Sequence, residues 1–113
     1  MLFNKISVSA ISAFAIVANG AILEMYSDRN CQNSVGSRNV WDNSCATGVP
    51  GFQSYIITYP GGGDQAITTY SRAACAGPQT TCNYAGSTGV CYPSFNSAGG
   101  SNAIGSGIAC GFV

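Results

Sequence analysis

Histidine is absent from this chain of 113 residues, and Lys5 is its one lysine. The usual general base of serine, cysteine and ribonuclease-type mechanisms is therefore missing, and so is the lysine that can replace it. Only the carboxylates of Glu24, Asp28, Asp42 and Asp64 remain. Two carboxylates can hydrolyse a glycoside, but Glu24 falls within a strand pattern and the aspartates near turns, where solvated acids belong. The chain thus reads as non-enzymatic. Charge is equally scarce, with four basic and four acidic residues making 7% of the chain. Beyond Lys5 the cations are Arg29, Arg38 and Arg72, too scattered for the counterion release that drives nucleic-acid binding or for attachment to anionic membranes. There is no Cys-x2-Cys pair. With histidine also missing, Cys75, Cys82 and Cys91 are not expected to hold a metal, and no cofactor is implied.

The first twenty residues have a different character. Lys5 precedes an apolar run from Ile6 to Ala18, and the small residues Ala18 and Gly20 stand at the −3 and −1 positions of a cleavage site. This is the pattern of a secretory signal peptide over residues 1–20, giving a mature protein that starts at Ala21 and is secreted. The run falls short of the roughly 20 residues a bilayer crossing needs, and the end of the chain, Ala109 to Val113, is too short for a lipid-anchor signal. No transmembrane anchor is expected. Export makes disulfides the natural state of the six cysteines, Cys31, Cys45, Cys75, Cys82, Cys91 and Cys110. A domain of this size has a modest core, and three bridges worth roughly 2 to 4 kcal/mol each would reinforce it. The only glycosylation sequon, Asn43-Ser44-Cys45, is of the rare cysteine type.

Residues 21–113 form a single cysteine-rich β domain by pattern. Short apolar runs alternate with Gly, Pro, Asn and Ser clusters, and helical periodicity is missing. Strands are expected over Ala21–Ser27, around Val40 and Trp41, and over Gln53–Tyr59, Ala66–Ser71, Thr81–Tyr84, Val90–Tyr92 and Ile104–Phe112. Alternation places Tyr55, Ile57 and Tyr59 on one face of their strand. Pro60-Gly61-Gly62-Gly63-Asp64 reads as a connector, and Ser97–Asn102 as a loop.

The connector separates two segments with a common spacing. Tyr26-Ser27-Asp28-Arg29-Asn30-Cys31 matches Tyr70-Ser71-Arg72-Ala73-Ala74-Cys75, and each follows an Ala-Ile pair. Two related motifs, 21–59 and 66–112, are one reading, and chance recurrence of common residues is the other. The second segment, Tyr70-x4-Cys75-Ala76-Gly77, resembles the aromatic-x4-aromatic-x-Gly signature of the βγ-crystallin Greek-key motif, with cysteine in the second aromatic slot. In the first segment Cys31 takes that slot and Asn33 the glycine slot. Ser54 and Ser106 resemble the serine that closes over the folded hairpin of each motif. The resemblance implies a small disulfide-stapled Greek-key β-sandwich, all-β, of the kind that includes killer toxins. It also implies a Cys75–Cys110 bridge closing the second motif. Cys82 and Cys91, flanking the turn Ala85–Gly89, are then expected to pair with each other, and Cys31 with Cys45. The calcium-binding pattern of that family calls for paired Asn or Asp ahead of each serine, which this chain lacks; Asp42-Asn43 is the one such pair elsewhere.

Binding candidates are few. Trp41, the sole tryptophan, sits in a turn-like context that suits stacking on a sugar or anchoring a partner, with core packing as the alternative. Arg29 and Arg38 could form a small anion-facing patch, with a solvated pair as the alternative. Taken together these features resemble the small secreted cysteine-rich proteins of filamentous fungi. The expected function is that of a non-enzymatic interaction protein, effector-like or surface-acting, on an extracellular or host protein or glycan. A killer-type or antimicrobial toxin and a proteinase inhibitor are the rivals; the first is weakened by the lack of lysine, and the second needs an exposed rigid loop.

Overall fold

A computed structural model describes residues 20–62 and 64–113; the signal-peptide segment lies outside the described residues except for Gly20. The chain folds as eight antiparallel strands with no helix among the described residues. These are β1 (Ala21–Tyr26), β2 (Ser34–Val40), β3 (Ser44–Ala46), β4 (Ser54–Tyr59), β5 (Ala66–Tyr70), β6 (Gln79–Tyr84), β7 (Cys91–Pro93) and β8 (Ala103–Gly107). They form two four-stranded sheets, ordered β2-β1-β4-β7 and β3-β8-β5-β6. Adding four to each strand number of the first sheet, and counting β7 round to β3, reproduces the second sheet. Each half of the chain therefore places three strands in its own sheet and lends its third to the other, an order consistent with a Greek-key sandwich.

Local chemistry repeats with the strands. Tyr26 pairs with Ser34 and Tyr70 with Gln79, and in both cases the register slips just before the tyrosine. The hairpins so formed are closed by Ser27 N–H to the Asn33 carbonyl (2.9 Å) and Ser71 N–H to the Pro78 carbonyl (3.1 Å). Gln53 N–H bonds to the Tyr26 carbonyl and Asn102 N–H to that of Tyr70, both at 2.8 Å. The side-chain amides of the same two residues reach the carbonyls of Ser27 and Ser71, at 2.9 and 2.8 Å. Between them Phe52 and Ser101 exchange backbone hydrogen bonds of 3.1 and 2.7 Å, stitching the two halves together.

The core lies between the sheets. Leu23, Met25, Tyr55 and Ile57 come from the first, and Ile67 and Ile104 from the second, all essentially inaccessible to water. Burying a side chain of this size stabilises by roughly 1.5 to 3 kcal/mol. Phe52 meets Tyr55 edge-on with centroids 6.3 Å apart, and the Tyr55 hydroxyl donates to Asn83 Oδ1 at 2.7 Å, joining one sheet to the other. The second half fills the matching space with hydroxyls. Thr69, Thr80, Ser101 and Ser94 close a ring of four contacts between 2.6 and 2.8 Å, so each oxygen has a partner without water.

The bridges are Cys31–Cys91, Cys45–Cys75 and Cys82–Cys110, and no cysteine is free. All three expected pairings are corrected. The cause is the strand exchange: β7 carries Cys91 into the first sheet beside the hairpin of Cys31, and β3 carries Cys45 into the second beside the hairpin of Cys75. Cys82 and Cys91 do not face each other, since β6 and β7 belong to different sheets. Ser106 is corrected as well. Ser54 does close the first hairpin, accepting from Cys31 N–H (3.0 Å) and donating to the Asp28 carbonyl (2.6 Å). In the second half Ala103 stands opposite Tyr70 as Ser54 stands opposite Tyr26, while Ser106 donates instead to Gln65 Oε1 at 3.0 Å. The last strand ends at Gly107, short of Phe112, and residues 108–113 turn back over the outer surface of the second sheet.

Candidate functional site

The outer surfaces of the two sheets differ. Among the described residues, the surface of the second is covered by two disulfides and residues 108–113, and that of the first by the Cys31–Cys91 bridge at one corner. Strand alternation builds this open face. Ala21, Leu23 and Met25 of β1 enter the core, and Ile22, Glu24 and Tyr26 point outward. Ile22 stands opposite Asn39 on one side and Tyr59 on the other, and Glu24 opposite Ser37 and Ile56. The Glu24 carboxylate accepts hydrogen bonds from the hydroxyls of Ser34 and Ser37, which hold it below the usual carboxylate range.

Tyr59 does not continue the face of Tyr55 and Ile57, as simple alternation predicted. The register slips between Ile22 and Leu23, so two residues of β4 pass for one of β1, and Tyr59 emerges 39% exposed while the other two are buried. Trp41 follows β2 directly and is 53% exposed. Its turn is fixed by Ser44 Oγ donating to the Trp41 carbonyl (2.5 Å) and Asn43 N–H donating to Gln65 Oε1 (3.0 Å), with Asn43 at φ 57°. Ala21, at the start of β1, pairs with Val40, the residue before Trp41, and Gly61 lies against that start, its Cβ position 2.9 Å from Ala21 N. Trp41 and the end of β4 thus meet at one corner of the face. Flanking Trp41, the buried side-chain oxygens Asn39 Oδ1 and Asp42 Oδ1 have no hydrogen-bond partner among the described residues.

The two arginines are engaged separately. Arg29 donates from Nε to Gln53 Oε1 (3.0 Å) and lays its guanidinium 3.8 Å from the centroid of Phe95, beside an open cleft of about 300 Å³ lined by Ser27, Phe52, Gln53 and Gly99 to Asn102. Arg38 donates to the Thr47 carbonyl at 3.0 Å. Among the described residues they share no hydrogen-bond partner. Three carboxylates are occupied by local bonds: Glu24 as above, Asp28 by the backbone N–H groups of Asn30, Gln32 and Asn33, and Asp64 by the Tyr84 hydroxyl at 2.8 Å.

Ile22, Asn39 and Tyr59 were not singled out by sequence. Their signal was the period-two pattern of Ala21–Tyr26, which shows that alternate residues face outward but not which strands lie beside them. No family model matches the chain, and comparison with curated proteins and with solved structures likewise returns no match. Three bridges in so small a domain fit an extracellular protein. Among the described residues no helix is long and apolar enough to cross a membrane.

Proposed function

We propose that this is a secreted, non-enzymatic interaction protein, effector-like or surface-acting, of the kind found among small cysteine-rich proteins of filamentous fungi. It presents the open face of its first sheet to an extracellular or host protein or glycan. The observation that carries this reading is the contrast between the two sheets, one capped by bridges and the terminal segment, the other left open with Trp41 exposed at its corner. Exposed tryptophan is costly to leave in water and is enriched where partners anchor. The non-enzymatic part is supported by the missing histidine and by the engagement of Glu24, Asp28 and Asp64 in local hydrogen bonds. We also infer that the two halves are related motifs of βγ-crystallin type, a reading supported by the four-strand shift that interconverts the sheets and by the matched hydrogen bonds of Gln53 and Asn102.

Purified residues 21–113 and their Trp41→Ala variant test the proposal in two assays, infiltration into plant tissue and inhibition of microbial growth. The expected result is a host response from the parent protein, its loss in the variant at unchanged thermal midpoint, and no clearing of a microbial lawn. Clearing of the lawn would make the protein a toxin. A host response that survives loss of Trp41 would remove the open face from the mechanism.

A further inference from the structure

The outer surface of the second sheet holds a row of four residues, one on each strand. Cys45 stands opposite Gly105, Gly105 opposite Thr68, and Thr68 opposite Cys82. Residues 108–113 cross this row from the Cys82 side. Cys110 is bonded to Cys82, and Gly111 donates its N–H to Thr68 Oγ1 at 3.0 Å. The chain then lies on bare backbone. A Cβ on Gly107 would overlap the Phe112 carbonyl, and one on Gly105 would stand 2.6 Å from Val113 Cγ1. At Gly107, where the neighbour is backbone, only glycine lets the segment seat this closely.

Little besides the disulfide holds it there. Among the described residues, Gly111 N–H to Thr68 is the one hydrogen bond that joins the segment to the sheet; its other bond, Phe112 N–H to the Ala109 carbonyl, is internal. Its apolar side chains face water, with Ile108 77%, Phe112 60% and Val113 51% exposed. A buried polar group lies close by. Tyr70 is 2% exposed and its hydroxyl has no hydrogen-bond partner among the described residues; its ring edge, Val113 and Cys75 Sγ all converge on Gly105.

We propose that Cys82–Cys110 is a thiol–disulfide exchange site and that residues 108–113 are a strap which its reduction releases. The reductant is a dithiol. One of its thiolates attacks the sulfur of Cys110, an exposed residue, the bond to Cys82 breaks with Cys82 leaving as thiolate, and the second thiol resolves the mixed disulfide, leaving the reductant as a cyclic disulfide. Cys82 and Cys110 together gain two electrons and two protons. The other bridges behave differently because both of their cysteines are held by the fold. Cys31 is anchored by its N–H to Ser54, Cys91 and Cys45 lie in strands, and Cys75 lies in the loop between β5 and β6 that Ser71 N–H closes on the Pro78 carbonyl, so a thiol freed there remains beside its partner and re-forms the bond. Cys110 belongs to no strand and leaves with the strap. Release hydrates the Tyr70 hydroxyl and bares the glycine floor, so the molecule passes from one open sheet face to two.

Titration of the native protein with dithiothreitol, followed by alkylation, peptide mapping and hydrogen exchange, tests this independently of any biological activity. Cys82 and Cys110 are expected to be alkylated while the other four remain bridged. The Gly111 amide then exchanges freely, with protection of β1 and β4 retained. Tyr70→Phe removes the stranded hydroxyl and so favours the seated strap; it is expected to raise the dithiothreitol needed for release by about fivefold or more. The Cys82→Ser, Cys110→Ser double variant is expected to fold with both sheets intact and the strap free. The proposal is overturned if another bridge opens first, if all three open in one step, if the Gly111 amide stays protected after alkylation, if Tyr70→Phe leaves the titration unchanged, or if the double variant does not fold.

Discussion

Replacing Ser54 by alanine removes a buried hydroxyl that ties the first folded hairpin at two points to the sheet beneath it. Ser54 is fully buried, and its hydroxyl accepts from Cys31 N–H at 3.0 Å while donating to the Asp28 carbonyl at 2.6 Å. Each bond contributes a net ~1 kcal/mol when made, but a buried N–H or carbonyl left without a partner costs about 1 to 3 kcal/mol. Both backbone groups belong to the hairpin and lose their partner together, so the expected loss is about 2 to 4 kcal/mol. That is a large share of the roughly 5 to 15 kcal/mol that stabilises a domain, and corresponds to a fall in thermal midpoint of about 10 to 25 °C for a chain of this size. Guanidinium denaturation with the bridges intact measures it, and Ser106→Ala is the control. Ser106 makes a single side-chain bond, to Gln65, whose oxygen also receives Asn43 N–H, so its loss is expected to cost about 1 kcal/mol. A Ser54→Ala variant no less stable than Ser106→Ala would refute the account of how the hairpin is held.

Peptide mapping under non-reducing conditions is expected to recover Cys31 with Cys91, Cys45 with Cys75 and Cys82 with Cys110, and any other pairing contradicts the strand exchange. Acid should destabilise through two carboxylates. The Asn33 N–H, with those of Gln32 and Asn30, lowers the affinity of Asp28 for protons, and the Ser34 and Ser37 hydroxyls do so for Glu24. Their stabilisation is present above the ordinary carboxylate pKa of about 4 and is lost as pH falls through the lower folded values. Thermal midpoints followed downward from pH ~6 should therefore decline below about pH 4, and less steeply in Asp28→Asn. At the alkaline end, burial, and then the neighbouring Tyr92, push the Tyr55 phenol far above its ordinary range. Because its folded pKa is raised, stability is complete below about pH 10 and lost above it, and absorbance titration should show Tyr55 ionising only as the protein unfolds, an event missing from Tyr55→Phe.

The sheet class, most strand positions and the oxidised state of the cysteines were legible from local signals, because alternation, turn residues and an even cysteine count are properties of short segments or of composition. What required more than one segment was not. The strand Ser44–Ala46 has three residues and follows a turn, too short to show a period. The pairing of cysteines depends on which sheet β3 and β7 enter, and nothing in Cys45 or Cys91 themselves carries that information. Ser54 and Ser106 look alike in sequence, yet only a register between β4 and β1, and between β8 and β5, separates a hairpin anchor from a partner of Gln65. Trp41 was visible as an isolated large aromatic beside turn residues, but Ile22, Asn39 and Tyr59 join it only after the chain has chosen the neighbours of β1.

The exchange of β3 and β7 bears on how this chain can come apart. Each sheet is completed by a strand from the opposite half, and two of the three bridges fasten those lent strands in place. A peptide ending before the connector would lack the fourth strand of its own sheet and leave β3 with nothing to pair, and the complementary peptide would have the mirror deficit. Neither half can serve as an autonomous folding unit, while the two mixed together can complement each other as subunits do. The protein is in this sense a dimer drawn on a single thread, and partial unfolding confined to one half is not open to it.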